Sequence, residues 1–131
     1  MITIKTETNK ENINKFLAHC GVSFDFDDCI VMAVKDNDVI LALGALSLED
    51  GHVFLDHIVV TDDCADDLNL VLGLMKSLLN LADLRGIKIV YGANPAMFDL
   101  YKMLGFQKCP DAVKKMYELS LEGYFTHEKE E

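Results

Sequence analysis

A chain of 131 residues is long enough for one hydrophobic core and too short for a second, since single domains usually run to ~100–200 residues. Its apolar fraction of 50%, with two prolines and eight glycines, excludes wholesale disorder, collagen-like repeats and low-complexity character. Twenty-two acids against twelve bases leave a net charge of −10, which opposes nucleic acid and anionic membrane surfaces as partners.

Ile2 and Ile4 alternate with Thr3 and Lys5, the period of a short strand. Thr8 or Asn9 can cap a helix carrying Ile13, Phe16 and Leu17, which Gly21 stops. Val22–Asp28 reads as a loop that Phe24 and Phe26 anchor to the core. Three strands follow, Cys29–Lys35, Val39–Leu48 and Val53–Val60, with turn chemistry at Asp36-Asn37-Asp38 and Glu49-Asp50-Gly51. The first two are apolar on both faces, which predicts helices on both sides of the sheet. Asp66–Arg85 places Leu68, Val71, Leu72, Met75, Leu78, Leu79 and Ala82 on one helical stripe. Leu70, Leu74 and Leu81 widen that stripe, as deep burial or a partner surface such as a homodimer would require. Ile87–Tyr91 reads as a short buried strand, and Ala96–Leu104 as a helix begun by Asn94-Pro95 and ended by Gly105. Phe106–Cys109 and Lys115–Leu121 are the last strands, joined through Pro110-Asp111, and Thr126–Glu131 is a charged tail expected to fray. The order β-α-β-β-β-α-β-α-β-β predicts one mixed α/β domain over residues 1–125, with an antiparallel meander leading into a single parallel β-α-β step.

Charge is unevenly spread. No Lys or Arg lies between Lys35 and Lys76, whereas nine acids do: Asp36, Asp38, Glu49, Asp50, Asp56, Asp62, Asp63, Asp66 and Asp67. Such a stretch is ordinarily a solvated surface, and functionally it is a rim that draws a cationic amine. Cys20, Cys29, Cys64 and Cys109 form no CxxC pair, and His19, His52, His57 and His127 form no HxH or HxxxH pair, so no metal is expected. The cysteines read as small buried apolar groups of a reducing compartment, and His19 as a helix C-terminal capping group. The longest apolar run, Val39–Leu46, falls well short of the ~20 residues that span a bilayer. No basic-then-apolar leader opens the chain, and the expected location is the cytoplasm.

The segment Asn94-Pro95-Ala96-Met97-Phe98-Asp99-Leu100-Tyr101-Lys102-Met103-Leu104-Gly105-Phe106 resembles N-x-x-A-x-x-L-Y-x-x-x-G-F, which marks the GNAT superfamily of acyl-CoA-dependent N-acyltransferases. Asn94, Leu100, Tyr101, Gly105 and Phe106 stand in register, and Met97 replaces the usual alanine. Arg85-Gly86-Ile87 is similar to the turn that precedes the family's fifth strand, and the likeness extends over roughly residues 29–121.

The resemblance implies a mostly antiparallel sheet whose fourth and fifth strands, Val53–Val60 and Ile87–Tyr91 here, run parallel and splay apart. Acetyl-CoA would lie in the gap as cosubstrate, with backbone amides around Val59 and Val60 polarising the thioester. It also implies Tyr101 as donor to the leaving thiolate and Asn94 beside the cofactor. Tyr101→Phe is then expected to lower turnover while leaving stability nearly unchanged. Strict alternation puts Phe54, Asp56, Ile58 and Val60 on one strand face and Val53, Leu55, His57 and Val59 on the other. The family's base lies on the first face, so Asp56, acting through water, is the expected base and His57 a hydrogen-bonded core histidine.

The family's glycine-rich pyrophosphate loop is missing. The corresponding stretch, Asp66-Asp67-Leu68-Asn69-Leu70-Val71, contains neither glycine nor arginine. In the ordinary pattern Leu68, Asn69, Leu70 and Val71 would offer helix-start amides to the phosphates. The four nearby aspartates repel an anion, with Asp62 or Asp63 expected to cap the helix, and Lys76 and Lys102 offset some of that charge only if the fold brings them near. Two function classes follow: an N-acetyltransferase acting on the amine of a small or cationic substrate, or a catalytically silent module for binding or assembly.

Overall fold

A computed structural model describes residues 1–23, 26, 28–109 and 117–125. The strands are β1 (Ile2–Thr6), β2 (Ile30–Asp36), β3 (Val39–Glu49), β4 (His52–Val60), β5 (Ile89–Gly92), β6 (Gln107–Lys108) and β7 (Tyr117–Ser120). The helices are α1 (Lys10–His19) after β1, α2 (Leu68–Leu84) after β4 and α3 (Phe98–Met103) after β5. Short 3-10 turns at Asp62–Cys64 and Pro95–Met97 precede α2 and α3. All strands join one seven-stranded sheet in the order β1-β2-β3-β4-β5-β7-β6. Among the described residues only β4 and β5 run parallel, and every other pair is antiparallel. The predicted element order and the mixed α/β class are both observed.

Two-sided burial of β2 and β3 splits by residue parity. Val31, Ala33, Leu43 and Ala45 meet Ile13, Phe16 and Leu17 of α1. Met32, Val34, Ala42 and Leu46 face the other way, into the cluster that holds α2. Leu74, Met75, Leu78 and Leu79 of α2 are fully buried, each worth about 1.5–3 kcal/mol of transfer free energy. Gly44 lets α2 approach, because a β-carbon there would lie 2.7 Å from Leu78 Cδ1. The widened leucine face is therefore taken up within the chain, with Leu70, Leu72 and Leu81 packed at its margins.

Local signals settle several ends. Asn9, rather than Thr8, caps α1 by accepting from the Asn12 amide at 3.1 Å. The β3–β4 turn uses Asp50 and Gly51 at φ 53° and 80°, the left-handed backbone that tight hairpins need. Phe26 is buried in the α1 cluster as anticipated. Other expectations need correction. Neither Asp62 nor Asp63 caps α2; they form their own 3-10 turn, and Asp67 is the cap. The strand placed at Ile87–Tyr91 is Ile89–Gly92, because Ile87 closes the α2 C-terminus by donating to Ala82 O. The four cysteines form no disulfide and are half-buried rather than fully buried, with Cys20 and Cys29 packed against the α1 cluster. Phe24, Pro110-Asp111, Lys115 and the tail 126–131 lie outside the described residues. Among the described residues no helix is long and apolar enough to cross a membrane.

Candidate active site at the fork between β4 and β5

Pairing of β3 with β4 slips by one residue: Ala45 faces His57 while Ser47 faces Phe54, so Leu55 and Asp56 together oppose Leu46. This is a β-bulge, and it resets which way later side chains point. Before it, Val53 and Leu55 face the α2 side; after it, Ile58 and Val60 do. His57, whose ring lies 6.0 Å from Phe26, and Val59 face the α1 side. The expected strict alternation thus fails, and His57 shares a face with Phe54. Residue types alone give no sign of the extra residue.

The bulge also coincides with the parting of the strands. β4 pairs with β5 only at Val53–Val90 and Phe54–Tyr91. Further along, the Thr61 amide donates to Leu41 O on β3. Antiparallel alternation then turns Val59 and His57 toward β3 as well, and leaves the N–H and C=O groups of Ile58 and Val60 facing the side that β5 has vacated. Ile58 and Val60 therefore share this backbone orientation, whereas Val59, which the resemblance paired with Val60, turns its backbone groups toward β3.

Tyr101 sits at the apex of this fork, fully buried. Its phenolic oxygen lies 2.7 Å from Leu55 O and 3.0 Å from Asp56 Oδ1, which compete for its one proton, with Met97 Sδ more distant at 4.0 Å. Asp56 Oδ1 also accepts from the Ala93 amide at 2.8 Å. Asn94 caps the turn before α3 through Ala96 N–H and donates its side-chain amide to Asp56 O at 2.8 Å. Tyr101, Asp56 and Asn94 are thus brought together by β4, the end of β5 and α3. Burial first, then the Asp56 charge and hydrogen bond, push the Tyr101 phenol well above its ordinary pKa, so it remains a donor. The ring lies directly on Gly92, where any β-carbon would overlap it. A glycine at a strand end signals such close backbone approach, and the sequence reading passed over it.

The remaining cofactor candidates lie elsewhere. Leu68, Asn69, Leu70 and Val71 form the first turn of α2, beyond β4. Leu70 N–H is taken by the Asp67 carboxylate at 3.1 Å, Val71 N–H by Asp67 O and Leu68 N–H by Asp66 O. Among the described residues this leaves Asn69 with the open donor of the turn. Lys102 is on α3, its ammonium 6.0 Å from the centre of the Tyr117 ring. Because Asp67 holds the cap, Asp67→Ala should cost about 0.5–2 kcal/mol in urea unfolding. Asp67→Asn, which keeps an acceptor and sheds a charge, should cost far less and should tighten any anion held at this turn.

No protein-family model and no curated protein matches the sequence. Solved structures do, and they define the architecture as the GNAT acetyltransferase fold. Over 93% of its length the chain resembles an N-acetyltransferase from Staphylococcus aureus Mu50, covering 99% of that chain at TM-score 0.73 and 18% identity. It is similar over 92% of its length to the ribosomal-protein-S18-alanine N-acetyltransferase of Escherichia coli, covering 94% of that chain at TM-score 0.69 and 16% identity. A third likeness, over 91% of this chain and 97% of the other at TM-score 0.62 and 15% identity, is to a GNAT family acetyltransferase from Elizabethkingia anophelis with acetyl-CoA bound.

Proposed function

We propose that this chain is an N-acetyltransferase that moves an acetyl group from acetyl-CoA to the amine of a small or cationic substrate. The observation that carries the reading is the fork itself: beyond the bulge, Ile58 and Val60 turn their backbone groups away from β3 into the space β5 leaves. Ile58 and Val60 can pair with an extended amide-bearing arm as a short extra strand would, and their N–H groups can polarise a thioester carbonyl. Tyr101 can turn its proton from Leu55 O toward a leaving thiolate. With its pKa raised it stabilises that charge as a hydrogen-bond donor instead of surrendering the proton. Asp56 holds both the phenol and the Ala93 amide, and Asn94 ties the end of β5 to the bulge.

The first turn of α2 fits a pyrophosphate less well. Asp67 already occupies one amide, and no glycine, lysine or arginine stands between Val60 and Gly73. Unit charges of like sign at ~4 Å repel by roughly 4 kcal/mol at an effective dielectric of 20. This observation favours the second reading, a catalytically silent module that keeps the fold for binding or assembly.

Calorimetric titration of the whole protein with acetyl-CoA separates the two. The expected result is micromolar binding that weakens for pantetheine-truncated analogues and strengthens in Asp67→Asn. Absence of heat at millimolar acetyl-CoA, in wild type and Asp67→Asn alike, rejects the transferase in favour of the module.

A further inference from the structure

We propose that the bare sheet face beside α1 is a docking surface for an extended, arginine-bearing segment of a partner protein, whether or not the fork transfers acetyl groups. The helices leave this face uncovered. α1 packs on one side of β2 and β3, while α2 and α3 pack on the opposite side of the sheet. Tyr117 and Leu119 of β7 join the cluster that holds α2 and α3, so Glu118 between them points away from it. Register brings Phe54, Tyr91 and Glu118 into one row on that far face, with His52 and Ile89 alongside. Phe54, Ile89 and Tyr91 belong to neither core cluster, and Ile89 is 39% exposed.

The face is aromatic at its centre and acidic at its margins. The Phe54 and Tyr91 ring centres lie 5.7 Å apart, and His52 meets Tyr91 edge-on at 5.1 Å. Glu118 stands opposite Tyr91, and Glu49 stands opposite His52. Among the described residues neither carboxylate has an ion pair. No Lys or Arg shares their face, since Lys108 lies opposite Tyr117 and points to the α3 side.

A guanidinium suits both parts, because it stacks flat on aromatic rings and presents a forked set of donors to a carboxylate. An ammonium offers only a compact charge. Carboxylates on both margins repel a second copy of this chain, nucleic acid and anionic lipid alike. Small-molecule sites are concave, whereas an open sheet face suits a chain laid across its strands. Glu49 and Glu118 are separated by three strand spacings, β3 to β4 to β5 to β7, which amounts to about 15 Å. Arginines four residues apart in an extended segment, at ~3.4 Å per residue, span nearly that distance.

The test uses the whole protein and an acetylated, amidated heptapeptide with arginine at its second and sixth positions and glycine or serine elsewhere. This probe has no free amine to be acetylated, so its binding is independent of acetyl-CoA. Titration is followed by calorimetry and by the ring resonances of Phe54 and Tyr91, identified by their loss in Phe54→Leu and Tyr91→Leu. Both rings should shift. Affinity should fall about fivefold when Glu49→Gln and Glu118→Gln are combined, the scale of two exposed ion pairs. The lysine version should bind about threefold more weakly, and the uncharged citrulline version should leave the rings unmoved. The proposal is overturned by unshifted rings at millimolar peptide, by shifts confined to the residues around Asp62–Asp67, or by unchanged affinity in the double variant. Equal binding of the citrulline or lysine peptide overturns it too. A dimer in sedimentation velocity that Tyr91→Leu dissolves would give the face to a second copy of the chain, and overturns it equally.

Discussion

Gly92→Ala should destabilise the protein by about 1–3 kcal/mol, the usual cost of adding a methyl to a filled core, even though it is the smallest substitution available. The new β-carbon would coincide with the Tyr101 ring atoms. That ring has nowhere to retreat. Its hydroxyl is tied to Leu55 O, and Phe106, Tyr117 and Phe98 surround it with ring centres at 5.0, 6.0 and 6.2 Å. Urea unfolding gives the loss directly, and a chain of this size should melt roughly 3–6 °C lower per kcal/mol. A variant within about 0.5 kcal/mol of wild type, the ordinary scatter for surface substitutions, would show that the ring is not held as described. Replacing Tyr101 as well, by leucine, should make the two losses less than additive, because the overlap disappears with the ring.

Tyr101→Phe should also cost stability, about 1–3 kcal/mol, because the buried Leu55 carbonyl would lose its partner and no water could replace it. This differs from the expectation from sequence, which gave the phenol the leaving thiolate as its partner and left stability nearly unchanged. Asp56 would fare better than Leu55, since the Ala93 amide still reaches its Oδ1. In the transferase reading turnover should fall by about 10²–10³-fold, the loss typical of one preorganised donor, with little change in acetyl-CoA affinity. Chemical unfolding and calorimetry measure the two effects separately. Full stability with lost turnover would mean the hydroxyl spends its time away from Leu55 O. Lost stability with unchanged turnover would make Tyr101 a structural pin only.

Most of the architecture was legible because each element carries its own period. The Val31/Ala33 and Met32/Val34 sets could be read as two-sided burial, and Asp50-Gly51 as a hairpin. The candidate site was suggested only by resemblance, which singled out Tyr101, Asp56 and Asn94, three residues that hydrogen bonds join in the structure. What escaped was geometry that depends on two strands at once. An extra residue in β4 is invisible until β3 is laid beside it, so the side-chain faces beyond Leu55 were assigned backwards. The helix cap escaped for a different reason. Asp62, Asp63, Asp66 and Asp67 are chemically equivalent candidates, and the 3-10 turn at Asp62–Cys64 decides among them by consuming the first two.

The two residue pairs between β4 and β5 divide the sheet mechanically. On one side lies a four-stranded plate, β1 to β4, and on the other a three-stranded one, β5, β7 and β6. Besides the helices, the plates are riveted by Ala93 N–H to Asp56, Asn94 to Asp56 O and Tyr101 to Leu55 O. The rivets lie at one end of the seam, so any tilt between plates must pivot near Phe54 and Tyr91 and be largest at Val60. Deuterium uptake at Ala93, whose proton is guarded by a carboxylate and not by a strand partner, therefore reports when the two plates yaw apart.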